Sequence, residues 1–244
     1  MTVASGAQPL RLADVRIALP GRVLIDGLSF TVEAGRIVTV MGPSGSGKSA
    51  LLSWIGGFLG PPFAVHGDVF LGTRSLNGAA PHARRVGILF QDDLLFPHLT
   101  VGENISFGLP PGPRARRRAE LDAALADAGL AGFANRDPAT LSGGQRARIA
   151  LLRTLAARPE ALLLDEPFAK LDSELRNRFR HFVFEHGRRL RLPTLLVTHD
   201  PADAAAASGP VVTLAPAPPA AVFGGQSAAE AGPLDGLPEP GRAR

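Results

Sequence analysis

The stretch Gly42-Pro43-Ser44-Gly45-Ser46-Gly47-Lys48-Ser49 decides the fold. It follows the largely apolar run Ile37-Val38-Thr39-Val40-Met41, and Leu51, Leu52 and Ile55 come after it at helical spacing. The run predicts a buried strand, and the spacing predicts a helix that begins near Ser49. Glycines at such a junction let backbone N–H groups converge on an anion, and the helix N-terminus adds a partial positive charge. The pattern therefore predicts a phosphate-binding loop between a strand and a helix.

The side chains that end this phosphate loop (residues 42–49) and the backbone of its other residues are expected to have different roles. The Lys48 ammonium is expected to reach the β- and γ-phosphates of ATP, and the Ser49 hydroxyl is expected to hold Mg²⁺. The backbone of the other loop residues is expected to surround the phosphate oxygens. A flexible Gly/Ser turn that binds nothing is the alternative interpretation of the same residues.

A pair of carboxylates ends the run Leu162-Leu163-Leu164-Asp165-Glu166. We expect Asp165 to hold Mg²⁺ through water and Glu166 to orient or deprotonate the attacking water. A helix-capping turn before Pro167 would explain the same two residues without any catalysis. The phosphate loop upstream favours the catalytic interpretation.

Two further polar residues follow predicted strands. Gln91 comes after Val86-Gly87-Ile88-Leu89-Phe90, and His199 comes after Thr194-Leu195-Leu196-Val197-Thr198. Both side chains are expected at the same edge of the sheet, which is where ligands bind in open α/β folds. Gln91 is then a candidate to sense Mg²⁺ and the lytic water, and His199 is a candidate hydrogen-bond donor to the γ-phosphate. Each residue alone would be ordinary surface chemistry.

The most discriminating motif is Leu141-Ser142-Gly143-Gly144-Gln145. Ser142 is a good N-cap residue, and the two glycines expose N–H groups at the start of a helix predicted to run to about Ala157. This is a second phosphate-binding surface outside the strand–loop–helix unit, so it need not serve the same nucleotide. An ordinary capped helix is the alternative.

Strand-like and helix-like segments alternate along the chain, which predicts an α/β fold with a largely parallel sheet. Shorter, more alternating strands before residue 72 predict an antiparallel β region. We expect a helical insert at about residues 94–156 within one domain that spans residues 10–215. Residues 216–244 are rich in Pro, Ala and Gly without periodicity, and they predict a disordered tail.

Composition limits the possible partners. The 244 residues carry a net charge of +4, and Lys48 and Lys170 are the only lysines. The cluster Arg114, Arg116, Arg117 and Arg118 leads into a predicted amphipathic helix, and a solvated helix start is favoured over a nucleic-acid surface. No cysteine is present, which excludes disulfides and thiolate metal sites. No apolar run reaches the roughly 18 residues of a membrane span, and residues 1–8 do not look like a secretory signal. The expectation is a cytosolic protein that reaches the membrane through a partner.

Taken together, these motifs resemble the ATP-binding subunits of ABC transporters over about residues 10–214. The resemblance implies a P-loop NTPase (RecA-like) core with an antiparallel β subdomain and a helical insert. It also implies ATP and Mg²⁺ as cofactors and a head-to-tail homodimer, in which each ATP lies between the phosphate loop of one subunit and residues 141–145 of the other. In the family's terms, residues 42–49 match the Walker A loop, Gln91 the Q-loop, residues 141–145 the signature, residues 162–166 Walker B, Leu171-Asp172 the D-loop and His199 the switch histidine.

The compact single domain looks like that of bacterial importers. Gly42-Pro43-Ser44-Gly45 and Asp165-Glu166-Pro167-Phe168 resemble the thiamine, sulfate, iron and polyamine group, and other segments look like YnjD-type ATPases. The resemblance implies integral membrane permease subunits docked near residues 91–99, an indirect solute-binding protein partner and no nucleic acid. It also implies a peripheral location on the cytoplasmic face of the inner membrane. The transported solute does not touch this subunit.

The chain departs from the family pattern at the adenine. The family usually stacks an aromatic residue on the base, and Leu19 occupies that position here, so an apolar contact is expected instead. A regulatory domain found after the core in some sugar importers is not expected. A non-transport ABC ATPase in DNA repair or translation and a silent nucleotide-binding regulator remain as alternative functions.

Overall fold

The computed structural model describes residues 7–215. The tail predicted at residues 216–244 lies outside the described residues. The described part contains two sheets and seven α-helices. In chain order the elements are β1 Leu10–Leu19, β2 Arg22–Val32, β3 Ile37–Met41, α1 Lys48–Gly56, β4 Ala64–Leu71, β5 Arg74–Ser75, α2 Pro81–Arg84, β6 Val86–Leu89, α3 Val101–Gly108, α4 Arg114–Asp127, a 3-10 turn Pro138–Thr140, α5 Gly143–Ala156, β7 Ala161–Asp165, α6 Ser173–Arg189, β8 Thr194–Thr198, α7 Pro201–Ala207 and β9 Val211–Thr213.

A five-stranded sheet in the order β6-β7-β8-β3-β9 forms the centre, and all its pairs are parallel. Alternate residues of its strands face two different cores. Leu163 and Leu195 pack with α1 and the second sheet, whereas Leu162 and Leu196 pack with α5 and α6. Burial of both faces explains why these strands read as continuous apolar runs. The predicted α/β fold class is confirmed.

The second sheet, in the order β2-β1-β4-β5, is antiparallel. The prediction that its strands are short was wrong, because β1 has 10 residues and β2 has 11. The pairing of β1 with β2 shifts register after Leu12 and again after Val15, and Asp14 between them has a φ of 48°. These bulges interrupt the period-two pattern, so the sequence pattern predicts the end of a strand at a point where the strand continues.

The helices α3, α4 and α5 follow β6 and surround a third apolar core with Ile105, Leu125 and Ile149 at its centre. The arginine-rich start of α4 is more than a solvated helix end. Arg117 donates to the carbonyl oxygens of Ser106, Leu109 and Pro110 at distances of 2.6 to 2.8 Å. It thereby binds carbonyl groups in and just after the last turn of α3, where helical carbonyls lack partners four residues on.

Candidate active site

The strand order brings four of the predicted motifs to one edge of the parallel sheet. Gln91 follows β6, Asp165 ends β7, His199 follows β8 and the phosphate loop follows β3. These strands are successive neighbours in the sheet. Segments that are far apart in sequence therefore meet at the carboxyl ends of the strands, as the sequence predicts.

The phosphate loop depends on glycine at two positions. Gly45 has a φ of 77° and Gly47 has a φ of 94°, a region that favours glycine. A Cβ on Gly47 would also stand 3.1 Å from Leu24 and Ile25 of β2, so the antiparallel sheet packs directly on the loop. This conformation directs the loop's amides to a common centre.

Lys48 lies folded over the phosphate loop. Its Nζ donates to the carbonyl oxygens of Gly42 and Pro43 at 2.8 and 2.9 Å, and the residue is 6% exposed. An ammonium group has three donors, so a third remains for a phosphate oxygen. The two carbonyl bonds fix the charge at the loop before any nucleotide binds.

Ser49 and Asp165 meet although 116 residues separate them in sequence. The Ser49 hydroxyl donates to Oδ1 of Asp165 at 3.2 Å. Burial raises the pKa of Asp165, and the hydrogen bond from Ser49 opposes that shift. Hydroxyl and carboxylate oxygens are the ligands that Mg²⁺ prefers, so this pair fits a Mg²⁺ site next to bound phosphates. Gln91 is exposed at the neighbouring strand end.

Glu166 and His199 form the second contact at this edge. Nδ1 of His199 lies 3.1 Å from Oε2 of Glu166. Glu166 has a φ of 45°, an uncommon conformation for a residue other than glycine, and its N–H donates to the carbonyl of Val197 at 2.9 Å. The turn after β7 therefore directs the Glu166 carboxylate towards the end of β8.

Residues 141–145 form an N-terminal capping box on α5. The Ser142 backbone donates to Oε1 of Gln145 at 2.9 Å, and the Gln145 backbone donates to the Ser142 hydroxyl at 3.3 Å. The hydroxyl hydrogen of Ser142 is left to donate elsewhere. Gly143 is exposed, whereas a Cβ on Gly144 would stand 2.6 Å from Cδ2 of Leu175 on α6. Gly144 is thus required for packing, and Gly143 is open to a partner.

The predicted site residues do not all meet within one chain. Among residues 7–215, no hydrogen bond or ion pair joins residues 141–145 to the phosphate loop. Gly143 instead lines a cavity of about 280 Å³ together with Gln91 and Pro167. The sequence predicts that both segments contact ATP. In the structure, the two segments contact different parts of the chain.

Asp172 and Leu19 lie at the margins of the site. The Asp172 carboxylate caps α6 by accepting from the Leu175 N–H at 2.9 Å. Leu19 is half-buried at the end of β1 and pairs with Arg22 across the turn. The guanidinium of Arg22 lies 3.9 Å from where a Cβ on Gly45 would stand, so this turn borders the phosphate loop.

Comparison with known proteins identifies this arrangement. Residues 25–169, more than half of the chain, match the family described as ABC transporter. The chain belongs to the ABC transporter family. As a member of this family it is an ATPase and binds ATP, and both predictions are confirmed.

Several ABC transporter relatives are similar over most of this chain. It is 49% identical over 201 residues to the "Uncharacterized ABC transporter ATP-binding protein YnjD" of Escherichia coli (strain K12), which covers 82% of this chain and 92% of the relative. It is 42% identical over 184 residues to the "Sulfate/thiosulfate import ATP-binding protein CysA" of Mycobacterium tuberculosis (strain ATCC 25618 / H37Rv), which covers 75% of this chain and 52% of the relative. The ABC transporter chain described here therefore spans about half the length of that import protein. The predicted resemblance to importer ATPases is confirmed.

A solved structure shares the fold of this ABC transporter ATPase. The cassette MJ0796, described as a bacterial ABC transporter cassette in a dimeric structure, is 29% identical with a TM-score of 0.70. The match covers 84% of this chain and 94% of that one. A second structure of MJ0796, described as dimeric and post-hydrolysis, holds ADP and Pi and is 30% identical.

Sequence reasoning missed the ion pairs that surround the motifs of this ABC transporter ATPase. Asp92, next to Gln91, pairs with Lys170, and Asp93 pairs with Arg146 of α5 at 2.9 Å. The partners of the two pairs are 78 and 53 residues apart in the sequence. The position of Arg146, directly after the 141–145 motif, was a sequence signal that its side chain lies near the predicted site.

Proposed function

We propose that this chain hydrolyses ATP with Glu166 as the general base, and that hydrolysis energises solute import. The observation that carries the proposal is the Glu166–His199 contact of 3.1 Å, which joins the ends of β7 and β8. The Ser49–Asp165 contact of 3.2 Å lies beside it, at the end of β7. A carboxylate and a phosphate-recognising imidazole thus stand beside the residues that hold the nucleotide. This combination suits transfer of a γ-phosphoryl group to water.

Each residue has a defined task in this reaction. The amides of the phosphate loop and the Lys48 ammonium bind the β- and γ-phosphates. Glu166 takes a proton from the attacking water, and His199 donates a hydrogen bond to a γ-phosphate oxygen. Gln91 orients the water and would be a further ligand for a Mg²⁺ ion at this edge. Mg²⁺ held by Ser49 and Asp165 would offset the charge on the phosphate oxygens.

We propose a head-to-tail homodimer as the working form. The capping box leaves the Ser142 hydroxyl hydrogen and the Gly143 amide at an exposed helix N-terminus, which suits an anion. These groups have no hydrogen bond or ion pair to the phosphate loop of their own chain within residues 7–215. In the proposed dimer they bind the γ-phosphate held by the second subunit, with Asp172 close to the dimer axis.

We further propose that the dimer docks on integral membrane permease subunits. Leu94, Phe96 and Phe107 form an apolar surface, called here the Phe107 patch, in which the Phe96 and Phe107 ring centroids are 4.9 Å apart. Leu94 is 55% exposed and Phe107 is 71% exposed. An exposed apolar cluster of this kind marks an interaction site. The patch lies in the chain that follows Gln91, so docking is coupled to the catalytic edge.

The remaining assignments extend the same proposal. No helix among residues 7–215 is both long and apolar enough to cross a bilayer. The chain is proposed to act as a peripheral subunit on the cytoplasmic face of the inner membrane, with a solute-binding protein as an indirect partner. The import proteins among its relatives, such as "Fe(3+) ions import ATP-binding protein FbpC 3" of Rhodococcus jostii (strain RHA1), support an importer.

The substitution Glu166→Gln tests the catalytic proposal. An amide keeps the shape of the side chain and cannot accept the proton, so turnover should fall by at least about a hundredfold. ATP binding should survive, and an ATP-bound dimer should accumulate on size-exclusion chromatography. The matched control is Glu185→Gln, an equal change at an exposed position on α6, which should hydrolyse ATP normally. Unchanged turnover of Glu166→Gln would refute the role of Glu166.

A further inference from the structure

A buried ion pair lies next to the strand end that carries His199. Arg180 of α6 donates to Oδ1 of Asp203 on α7 at 2.6 Å, and the two side chains are 10% and 5% exposed. Burying two charges costs solvation that their attraction often fails to offset, so such a pair is a poor source of stability. Its position and its other hydrogen bonds indicate a different purpose.

The second oxygen of Asp203 holds the residue before His199. The Thr198 hydroxyl donates to Oδ2 of Asp203 at 2.8 Å and accepts the Asp200 N–H at 3.0 Å. The residues on both sides of His199 therefore depend on one carboxylate. Thr198 is 2% exposed, so water cannot replace these bonds.

Arg176 holds the other side of His199 from the preceding turn of α6. Its Nη1 donates to Oδ2 of Asp200 at 3.0 Å, and its Nη2 donates to the carbonyl of Leu171 at 3.0 Å. Asp200 in turn caps α7 through the Ala202 N–H at 2.8 Å. One helix thus fixes the backbone before and after His199.

The imidazole of His199 needs such support because it is exposed. Its side chain is 64% exposed and contacts Glu166. Arg180 also lies 5.8 Å from the ring of Phe168, which is two residues after Glu166 and fully buried. The same arginine therefore packs against the segments that carry both members of the His199–Glu166 contact.

We propose that Arg180 and Arg176 are positioning residues that hold His199 through Asp203, Thr198 and Asp200. They touch neither nucleotide nor water and act on turnover through the direction of the imidazole. The inference rests on the proposed role of His199 in hydrolysis. It adds that α6, whose N-cap is Asp172, connects the Leu171 carbonyl with the histidine of the same chain.

The first test compares kcat and ATP affinity of the full chain with Mg–ATP. Asp203→Asn and Arg180→Gln should lower kcat about tenfold, because small misplacements of catalytic groups have effects of this order. The affinity for ATP should stay within about twofold of wild type, since the phosphate loop is untouched. Arg180→Lys keeps the charge and should recover most of kcat.

The matched control is Arg188→Gln. Arg188 donates to the carbonyl of Ala207 at 2.9 Å, so it also ties α6 to α7 but does not reach the residues beside His199. It should lose less thermal stability than Arg180→Gln, because Arg188 is exposed, and its kcat should remain normal. An equal loss of kcat in both variants would show general loosening of α6 and α7 and would overturn the proposal.

A double-mutant cycle distinguishes the proposed catalytic role of His199 from the proposed positioning role of Asp203. If Asp203 acts through His199, then Asp203→Asn should have no further effect on single-turnover hydrolysis in the His199→Ala background. If Asp203→Asn still lowers the hydrolysis rate tenfold in that background, the positioning role is wrong and the catalytic role of His199 is unaffected. If His199→Ala leaves kcat unchanged, the catalytic role of His199 fails. If His199→Ala lowers kcat and Asp203→Asn does not, only the positioning role fails.

Discussion

At the residue scale, Glu166 combines an uncommon backbone conformation with the proposed role of general base. A φ of 45° costs a residue with a Cβ about 1–3 kcal/mol, and the hydrogen bond from its N–H to Val197 keeps it there. The same turn brings its carboxylate to His199. The strained turn therefore allows the end of β7 to contact the end of β8. Strained backbone of this kind is often found at functional sites.

The adenine position offers a prediction at the same scale. Leu19 is half-buried beside the phosphate loop and has no aromatic ring to stack on the base. Leu19→Tyr should tighten ATP binding about fivefold, because aromatic stacking contributes about 0.5–1.5 kcal/mol beyond burial. Equilibrium titration of ATP against both proteins measures it. Affinity that stays the same would show that the base does not lie against residue 19.

At the scale of elements, the contact between α5 and α6 decides how residues 141–145 are presented. Gly144 packs against Leu175, whereas a Cβ on the exposed Gly143 would only touch the end of the Arg146 side chain, at 4.0 Å. Two adjacent glycines therefore have separate physical reasons for lacking a side chain. One permits the helices to approach, and the other leaves the helix N-terminus accessible.

Substituting each glycine by alanine should separate these reasons. Gly144→Ala should lower the free energy of unfolding by about 1–3 kcal/mol, since its Cβ meets Leu175, and adding Leu175→Ala should restore part of it. Gly143→Ala should fold normally and weaken the ATP-bound dimer. Thermal melting and size-exclusion chromatography with ATP measure the two effects. A destabilised Gly143→Ala variant would contradict this division.

A second element contact joins the end of α4 to the end of α6. Asp127 accepts a hydrogen bond from Arg189, and Nε2 of His186 lies 3.0 Å from its Oδ2. The bond from Arg189 does most to lower the pKa of Asp127 to about 2. This carboxyl has a higher pKa in the unfolded chain, about 3.9, so the contact stabilises the fold above pH 4. That contribution is lost as the pH falls towards 2.

Asp127→Asn should accordingly destabilise the protein in a pH-dependent way. At pH 7 the loss should be about 1 kcal/mol, because the contact is partly exposed and screened by solvent. The difference from wild type should shrink between pH 4 and pH 2, where the wild-type carboxyl takes up a proton. Urea denaturation at a series of pH values measures both proteins. A difference that stays constant to pH 2 would show that the charge is irrelevant.

At the scale of the whole molecule, the Phe107 patch lies on α3 and on the irregular segment between β6 and α3. The guanidinium of Arg153 lies 5.2 Å from the ring centroid of Phe96 and also donates to the carbonyl of Leu94 at 2.8 Å. These contacts hold the patch in shape without covering Phe107. An exposed apolar surface of this kind is consistent with the proposed docking on a membrane subunit.

Phe107→Ala should therefore separate hydrolysis from transport. The isolated chain should hydrolyse ATP within about twofold of wild type, because Phe107 lies outside the catalytic edge. Copurification with a membrane protein encoded by a neighbouring gene should be lost. Phe58→Ala, which removes another ring that is 61% exposed, is the control and should copurify normally. Normal copurification of Phe107→Ala would remove the patch from the proposed interface.

Much of the site could be predicted because its motifs are local. The phosphate loop, the Asp165–Glu166 pair and the Ser142 cap each depend on neighbours within a few residues, so their spacing reveals their geometry. The bulge at Asp14 and the pairing of Asp203 with Arg180 could not be read in this way. The bulge interrupts the alternation that marks a strand. The ion pair joins α6 and α7, which β8 separates in the sequence.

The sequence by itself determined the strand–loop–helix unit, the order of the motifs and the family, because local spacing fixes helix starts, strand ends and backbone nests. Only the tertiary structure decided which motifs share an edge and what holds them. Strand order brings Ser49 to Asp165 and Glu166 to His199, and burial turns Arg180 and Asp203 into a pair. These contacts depend on distances through space, and no local pattern of residues encodes them.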